Sequence, residues 1–224
     1  MAETVTLYKY VNTKYLASIL KNQELYMDDG SNFNDPFELL MIDKNTNEVE
    51  QIKGLHILSL TNSYIKKLMW SHYTDNHKGV CLTVQVPKKL VYPVCYTSKR
   101  VYKDTNIYEK ILKQRKGSIN QYVKSDYSDL GEDKLIAYVK DSKWTYEKEY
   151  RIVLNDDDSE YYRYDKTEGK YYFKVKIKNV YMGVRFDENN NISEEELERI
   201  CSEKDIKISK IIFSMDTYAL KIKK

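Results

Sequence analysis

The chain has 224 residues, a formal net charge of +3 and a mean hydropathy of −0.68. Its 37 Lys and Arg residues are nearly balanced by 34 Asp and Glu, so charge alone argues little for nucleic acid. No run of about 18 apolar residues is present, which leaves no membrane-spanning helix to expect, and the start Met-Ala-Glu-Thr-Val-Thr lacks the basic and apolar regions of a secretion signal. The three cysteines, Cys81, Cys95 and Cys201, are an odd and widely spaced set without a Cys-x-x-Cys pair. They read as reduced thiols in a cytoplasm, not as a zinc site or a disulfide framework. Lys, Asn, Ile and Tyr have A/T-rich codons, so the 22 tyrosines are not taken as a base-stacking signal. A chain of this length can bury a sizeable core without disulfide or metal.

Thr6–Tyr10 alternates and predicts a first strand. Asn12 or Thr13 then caps a helix over Lys14–Lys21 with Leu16, Ile19 and Leu20 inward. Leu25–Met27 is extended, Asp28–Asn32 is a turn, and in Phe33-Asn34-Asp35-Pro36-Phe37-Glu38 two aromatics suggest a loop pinned to the core. Lys44–Lys53 reads as exposed. His56–Thr61 is a buried-type strand, Ser63–Thr74 a helix, and Val80–Val86 a strand closed by Pro87. Val91–Thr97 is a strand with Pro93 at an edge or bulge. Helices are expected over Asp104–Lys124 and from Gly131 through Lys140, the second burying Leu135, Ile136 and Val139. Glu147–Leu154 alternates as a strand and Asp156–Asp158 is a turn. Tyr171–Ile177 and Val180–Phe186 read as a hairpin or adjacent strands. Ser193 with Glu196 opens a helix to about Glu203, and Lys207–Phe213 is the last strong strand. No repeat and no regular βαβ rhythm appears. The fold expected is a single α+β domain over residues 1–224, with 156–224 completing the sheet.

Three stretches bear on chemistry. Strand alternation sets Glu147, Glu149 and Arg151 on one face, about 6.5–7 Å apart, as either an exposed salt-bridged ladder or a polar cleft. In a cleft, Arg151 holds a glutamate ionised toward a substrate hydroxyl or a developing cation. On a helix, Trp70, Tyr73 and His77 fall on one side and His72 on another. That spacing is not a zincin pair. It fits core packing or the stacking of a flat ligand, and the residues do not separate the two. The third stretch is Leu7-Tyr8-Lys9-Tyr10 with Asn34 and Asp35, where a lysine between tyrosines can reach a phosphate or simply face solvent. No P-loop, dinucleotide fingerprint, Gly-x-Ser-x-Gly or kinase signature is present.

Taken in order, Leu7-Tyr8-Lys9-Tyr10, Phe33-Asn34-Asp35-Pro36-Phe37-Glu38, Leu58-Ser59-Leu60-Thr61, Met69-Trp70-Ser71-His72-Tyr73, Lys78-Gly79-Val80-Cys81, Trp144 and Glu147-Lys148-Glu149-Tyr150-Arg151-Ile152 resemble the DUF2971 family, over about residues 7–155. That family in turn resembles the ADP-ribosyltransferase fold, in the group of the DarT toxins and RNA 2′-phosphotransferases. The resemblance implies a split antiparallel sheet and NAD as substrate, with no metal. It implies cleavage of the nicotinamide–ribose bond and transfer of ADP-ribose to an unknown macromolecular acceptor, nucleic acid included, and by analogy with related toxins a bacterial toxin or antiviral defence role. Carried onto this chain, Glu149, Glu147 and Tyr73 are the catalytic candidates. Tyr8, Lys9, Tyr10, Asn34, Asp35, Trp70, Ser71, His72 and Arg151 are the cofactor-binding candidates. The first-strand His of the transferase pattern is missing here, since Lys9 or Tyr10 stands near its place. This departure gives the alternative, a catalytically inactive nucleotide- or protein-binding sensor with the same fold. A nucleic-acid enzyme using Glu147, Glu149 and His72 is disfavoured by the near-neutral charge.

Overall fold

The computed structural model describes residues 3–103, 106, 107, 109, 127, 130–187 and 191–223. Its strands are β1 (Thr4–Val11), β2 (Glu24–Met27), β3 (Leu40–Ile42), β4 (Val49–Gln51), β5 (His56–Thr61), β6 (Val80–Pro87), β7 (Tyr92–Pro93), β8 (Cys95–Thr97), β9 (Val139–Asp141), β10 (Glu149–Leu154), β11 (Tyr162–Asp165), β12 (Lys170–Lys174), β13 (Lys176–Met182), β14 (Lys207–Phe213) and β15 (Leu220–Ile222). The helices are α1 (Leu16–Asn22), α2 (Lys67–Tyr73), α3 (Glu132–Leu135) and α4 (Glu194–Glu203). The fold is α+β, and its strand pairing is mostly antiparallel. Among the described residues no helix is long and apolar enough to cross a membrane.

The chain divides into two compact units. The first comprises Met1–Val5, Tyr26–Ser59 and Pro87–Phe173; the second comprises Thr6–Leu25, Leu60–Val86 and Lys174–Lys224.

In the first unit the strand order is β5-β10-β7, with Arg151 opposite Tyr92 and Tyr150 opposite Pro93. Pro93 sits on the edge strand, where its missing N–H costs no ladder bond. β8 and β9 pair in parallel, Tyr96 opposite Lys140. A core of Leu39, Leu55, Ile57, Tyr92, Val101, Ile107, Tyr127, Leu135, Tyr138 and Val153 fills this unit, and Phe33 packs against it. Phe37 is 55% exposed, with the Arg100 guanidinium 4.1 Å over its ring, so only the first of the two loop aromatics anchors the loop. The segment read as exposed between residues 44 and 53 is exposed, although its end forms β4 against β3.

In the second unit the order is β15-β14-β13-β6-β1-β5. β13 and β14 are parallel and joined by α4, while β6 pairs antiparallel with β13. The cap of α4 follows the sequence: the Ser193 hydroxyl accepts the Glu196 N–H at 3.1 Å, and Leu197, Ile200 and Cys201 are buried at helical spacing.

Several expectations are corrected. The Tyr171–Ile177 and Val180–Phe186 segments do not form a hairpin; β12 pairs with β11, and β13 pairs with β6 and β14. The helix opening at Gly131 ends at Leu135, passes through a 3-10 turn at Ile136–Tyr138 and becomes β9, because pairing with β8 outweighs the apolar helical spacing. α2 begins at Lys67, not Ser63. Before it, the carbonyls of Ser63 and Tyr64 are taken by the Tyr10 hydroxyl and the Trp70 indole N–H, not by a helical ladder. Among the described residues no side chain caps α1; Asn12 accepts the Lys14 N–H in a turn ahead of it, and Ile19 is only half-buried. The helix expected over residues 104–124 lies outside the described residues except at 106, 107 and 109.

Candidate active site

β10 is buried along its whole length, so the ionisable residues on it are taken out of water with their partners. Glu149 and Arg151, two residues apart, share one face. Glu147 precedes the strand, ending a 3-10 turn, and Lys148 at φ 47° swings the chain from one to the other. Two further groups complete the cluster: Lys140 from β9 and Glu38 from the Asn-Asp-Pro-Phe-Glu loop. The Lys140 ammonium lies 2.6 Å from Glu147, 3.0 Å from Glu38 and 3.1 Å from Glu149. Arg151 donates from Nε to Glu149 Oε1 at 2.7 Å and from Nη2 to Glu149 Oε2 at 2.9 Å. Nη2 also pairs with Glu38, and Nη1 donates to the Ala137 carbonyl. The Glu149 N–H donates to the Tyr96 hydroxyl at 2.8 Å. Aromatic rings flank the cations: Trp144 stands 5.1 Å from the Lys140 ammonium and Phe33 5.1 Å from the Arg151 guanidinium.

Three carboxylates therefore share two cations in a dry setting. Burial alone would push the Glu149 carboxyl up. Arg151, Lys140 and hydrogen bonds from Arg151 and Ser59 reverse this and hold it at about 2. Burial likewise opposes the charge on Lys140, and the surrounding carboxylates, Glu149 foremost, outweigh it and raise its pKa. Arg151 is raised in the same way by Glu149 and Glu38 against the cost of burial. The exposed-ladder reading of this strand is thereby overturned: Glu149 is 5% exposed, and Glu147 and Arg151 are buried too. Among the described residues no group of His, Cys, Asp or Glu is arranged to hold a metal. The carboxylates here are already bridged by Lys140 and Arg151.

Beside the cluster lies a cleft of about 220 Å³, lined by Asp35, Phe37, Glu38, Thr97, Arg100 and Lys140 among others. Asp35 is buried. Its Oδ1 accepts the Phe37 N–H at 3.0 Å, and its Oδ2 has no hydrogen-bond partner among the described residues. Asn34 is exposed on the same loop. Of the residues singled out from sequence, the first unit thus brings together Glu147, Glu149 and Arg151, with Asp35 on the adjoining cleft. Lys140 and Glu38 were missed as site residues. Lys140 stands at the end of an expected helix; a lysine directly after the buried run Leu135–Val139 is the available signal.

The remaining candidates belong to the second unit. Tyr8 is half-buried beside Tyr64 and Tyr181, whose rings stack at 4.2 Å; burial first, then Tyr181, raises its pKa. Lys9 is half-buried. Tyr10 is buried, donating to the Ser63 carbonyl and accepting the Lys66 N–H. Trp70 is 0% exposed, its indole N–H on the Tyr64 carbonyl and the edge of Tyr10 against it at 5.2 Å, so the ring is core and offers no free face to a ligand. Ser71 is half-buried, and its carbonyl accepts the Asn76 N–H. His72 and Tyr73 line a pocket of this unit. His77 lies beyond α2 at φ 72°, so it does not continue the helical row of Trp70 and Tyr73.

Comparison with known proteins adds one finding. The family model described as "Protein of unknown function (DUF2971)" matches residues 69–152, which take in most of α2, all of β6 and the part of β10 that carries Glu149 and Arg151. No curated protein matches the chain. No solved structure matches it either.

Proposed function

We propose that the chain is an ADP-ribosyltransferase-like enzyme acting on NAD, with Glu149 as the charge-stabilising carboxylate. The observation that carries this reading is that Glu149 is buried, oriented and kept ionised by Arg151 and Lys140. With its pKa held at about 2, it acts as a fixed negative charge and not as a proton donor. Breaking the nicotinamide–ribose bond sends the bonding electrons to nicotinamide and leaves positive charge on the ribose, as in glycoside cleavage. An acceptor nucleophile then bonds to that carbon and loses its proton. A single preorganised contact to the developing charge is worth about 3–4 kcal/mol, or 10²–10³ in rate. Lys140 contacts Glu149 Oε2 at 3.1 Å, beyond the 2.7 and 2.9 Å of the two Arg151 contacts, and in this scheme a ribose hydroxyl replaces it there. Glu147 orients or deprotonates the acceptor. Asp35 offers an acceptor to a hydroxyl or amide of the ligand.

The test is incubation of the purified protein with NAD, with and without cell extract, following nicotinamide release beside Glu149→Gln. Release that falls by at least 10²-fold in a variant whose melting is checked supports the reading. Undiminished release removes Glu149 from the chemistry. No release by the parent protein, even with extract, sinks the enzyme reading.

A second reading is a catalytically silent nucleotide- or protein-binding module. It is favoured by the saturation of Glu149: Arg151 holds both carboxylate oxygens and Lys140 and Ser59 add further contacts, at 5% exposure. It expects NAD or ADP-ribose to raise the melting temperature without turnover. A toxin or antiviral defence role follows from family likeness alone.

A further inference from the structure

The second unit carries a pocket of about 370 Å³, in the lower part of the range of about 300–1,000 Å³ typical of small-molecule sites. It is built from the end of β1, the end of α2 and the loop into β6. Of its lining residues Thr13 and Gly79 are buried, Tyr73 and Lys78 half-buried, and Lys14, His72 and Asn191 exposed. The lining holds two lysines, Lys14 and Lys78, and one carboxylate, Asp75. The other polar groups are hydroxyls, side-chain amides and an imidazole, and Tyr73 adds an aromatic ring.

The walls are fixed by unusual backbone. Asp75, Asn76 and His77 are three successive residues in the left-handed region, at φ 48°, 54° and 72°. That conformation is unfavourable for an L side chain, least so for Asp, Asn and His, the types found here. The loop is clamped from both sides. A Cβ on Gly79 would fall 2.2 Å from the Val11 carbonyl, and one on Gly183 would fall 2.1 Å from the His77 carbonyl. Backbone bonds lock the same contacts: Gly79 N–H to Thr74, Gly183 N–H to Gly79 and Arg185 N–H to His77. A strained turn held this tightly beside a polar, cation-bearing pocket is a pattern of binding sites.

We propose that this pocket binds a phosphate-bearing ligand of mononucleotide size. Lys14 and Lys78 meet the phosphate, Asn12, Thr13 and Asn191 meet the hydroxyls of a sugar, and Tyr73 lies against a ring. The site lies wholly within the second unit and does not rest on the role given to Glu149.

The experiment is calorimetric titration of the whole chain with AMP, GMP, CMP and UMP, with the matching nucleosides and inorganic phosphate as probes. At least one nucleotide is expected to bind. Its nucleoside should bind at least 10-fold more weakly. The double variant Lys14→Ala/Lys78→Ala should lose at least 10-fold in nucleotide affinity at unchanged melting temperature, and the single exposed change Lys14→Gln serves if the double variant fails to fold. Raised ionic strength should weaken binding, as screening requires. Glu149→Gln should bind as the parent does, which separates this site from the NAD reading. Failure of all four nucleotides at millimolar concentration, equal affinity for nucleoside and nucleotide, or indifference to the lysine changes would overturn the proposal.

Discussion

Glu38 and Arg151 lie 113 positions apart in the chain and meet as a buried ion pair. The pair ties the Asn-Asp-Pro-Phe-Glu loop to β10. A guanidinium is the suitable cation, because its rigid fork serves Glu38, both oxygens of Glu149 and the Ala137 carbonyl at once.

Removing Arg151 leaves carboxylates buried with one cation fewer. Arg151→Met is expected to lower unfolding stability by about 3–5 kcal/mol, the cost of breaking a buried pair by deleting one partner. Arg151→Lys keeps the charge, loses the fork and falls between Met and the parent. Urea unfolding of the three proteins, compared at equal m-value, checks the order.

The same network sets an acid limit. The folded pKa of Glu149, about 2, lies below the ordinary glutamate value of 4.5. The unfolded chain therefore takes up this proton first as pH falls. The stability contributed by Glu149 is fully present above about pH 4.5 and is lost as pH drops toward 2. Unfolding free energy measured from pH 6 to 2 should show this loss. In Arg151→Met the acid-dependent part should shrink, since the chief charge lowering the Glu149 pKa is gone.

Gly79 and Gly183 are expected to resist the smallest possible substitution. In each, an added methyl would meet a backbone carbonyl, Val11 or His77, which cannot rotate away. Gly79→Ala and Gly183→Ala should each cost about 1–3 kcal/mol, the usual range for overpacking. At Gly54 and Gly169 a Cβ meets nothing within 4 Å, but their φ values of 78° and 63° make them a control for backbone strain alone. Thermal unfolding of the four Ala variants separates the two effects.

The α4 cap gives a modest and independent effect. Ser193→Ala removes the acceptor for the Glu196 N–H and should cost about 1 kcal/mol. Ser193→Asp should restore it, because the first helical turn accommodates an acidic cap. Thermal unfolding of both variants tests this.

Local pattern made much of this molecule readable from its residues. Alternation located β1 and β10, strand-type runs located β5, β6 and β14, Ser193 with Glu196 located α4, and the loss of a backbone donor at Pro87 and Pro93 marked a strand end and an edge. The spacing of Glu149 and Arg151 put them on one face, because that depends only on the two-residue period of a strand. Whether the face met water or other charges depended on Glu38, 113 positions from Arg151, and on Lys140 of another strand, nine positions from Glu149, which no local period encodes. Only the tertiary structure brought Glu38 and Lys140 to Glu149, turned the expected end of a helix at Val139–Asp141 into a strand paired with β8, and committed Trp70 to the core. Desolvation decides the first of these outcomes, since a charge far from water must find its partners wherever the chain can bring them; strand pairing and apolar burial decide the other two.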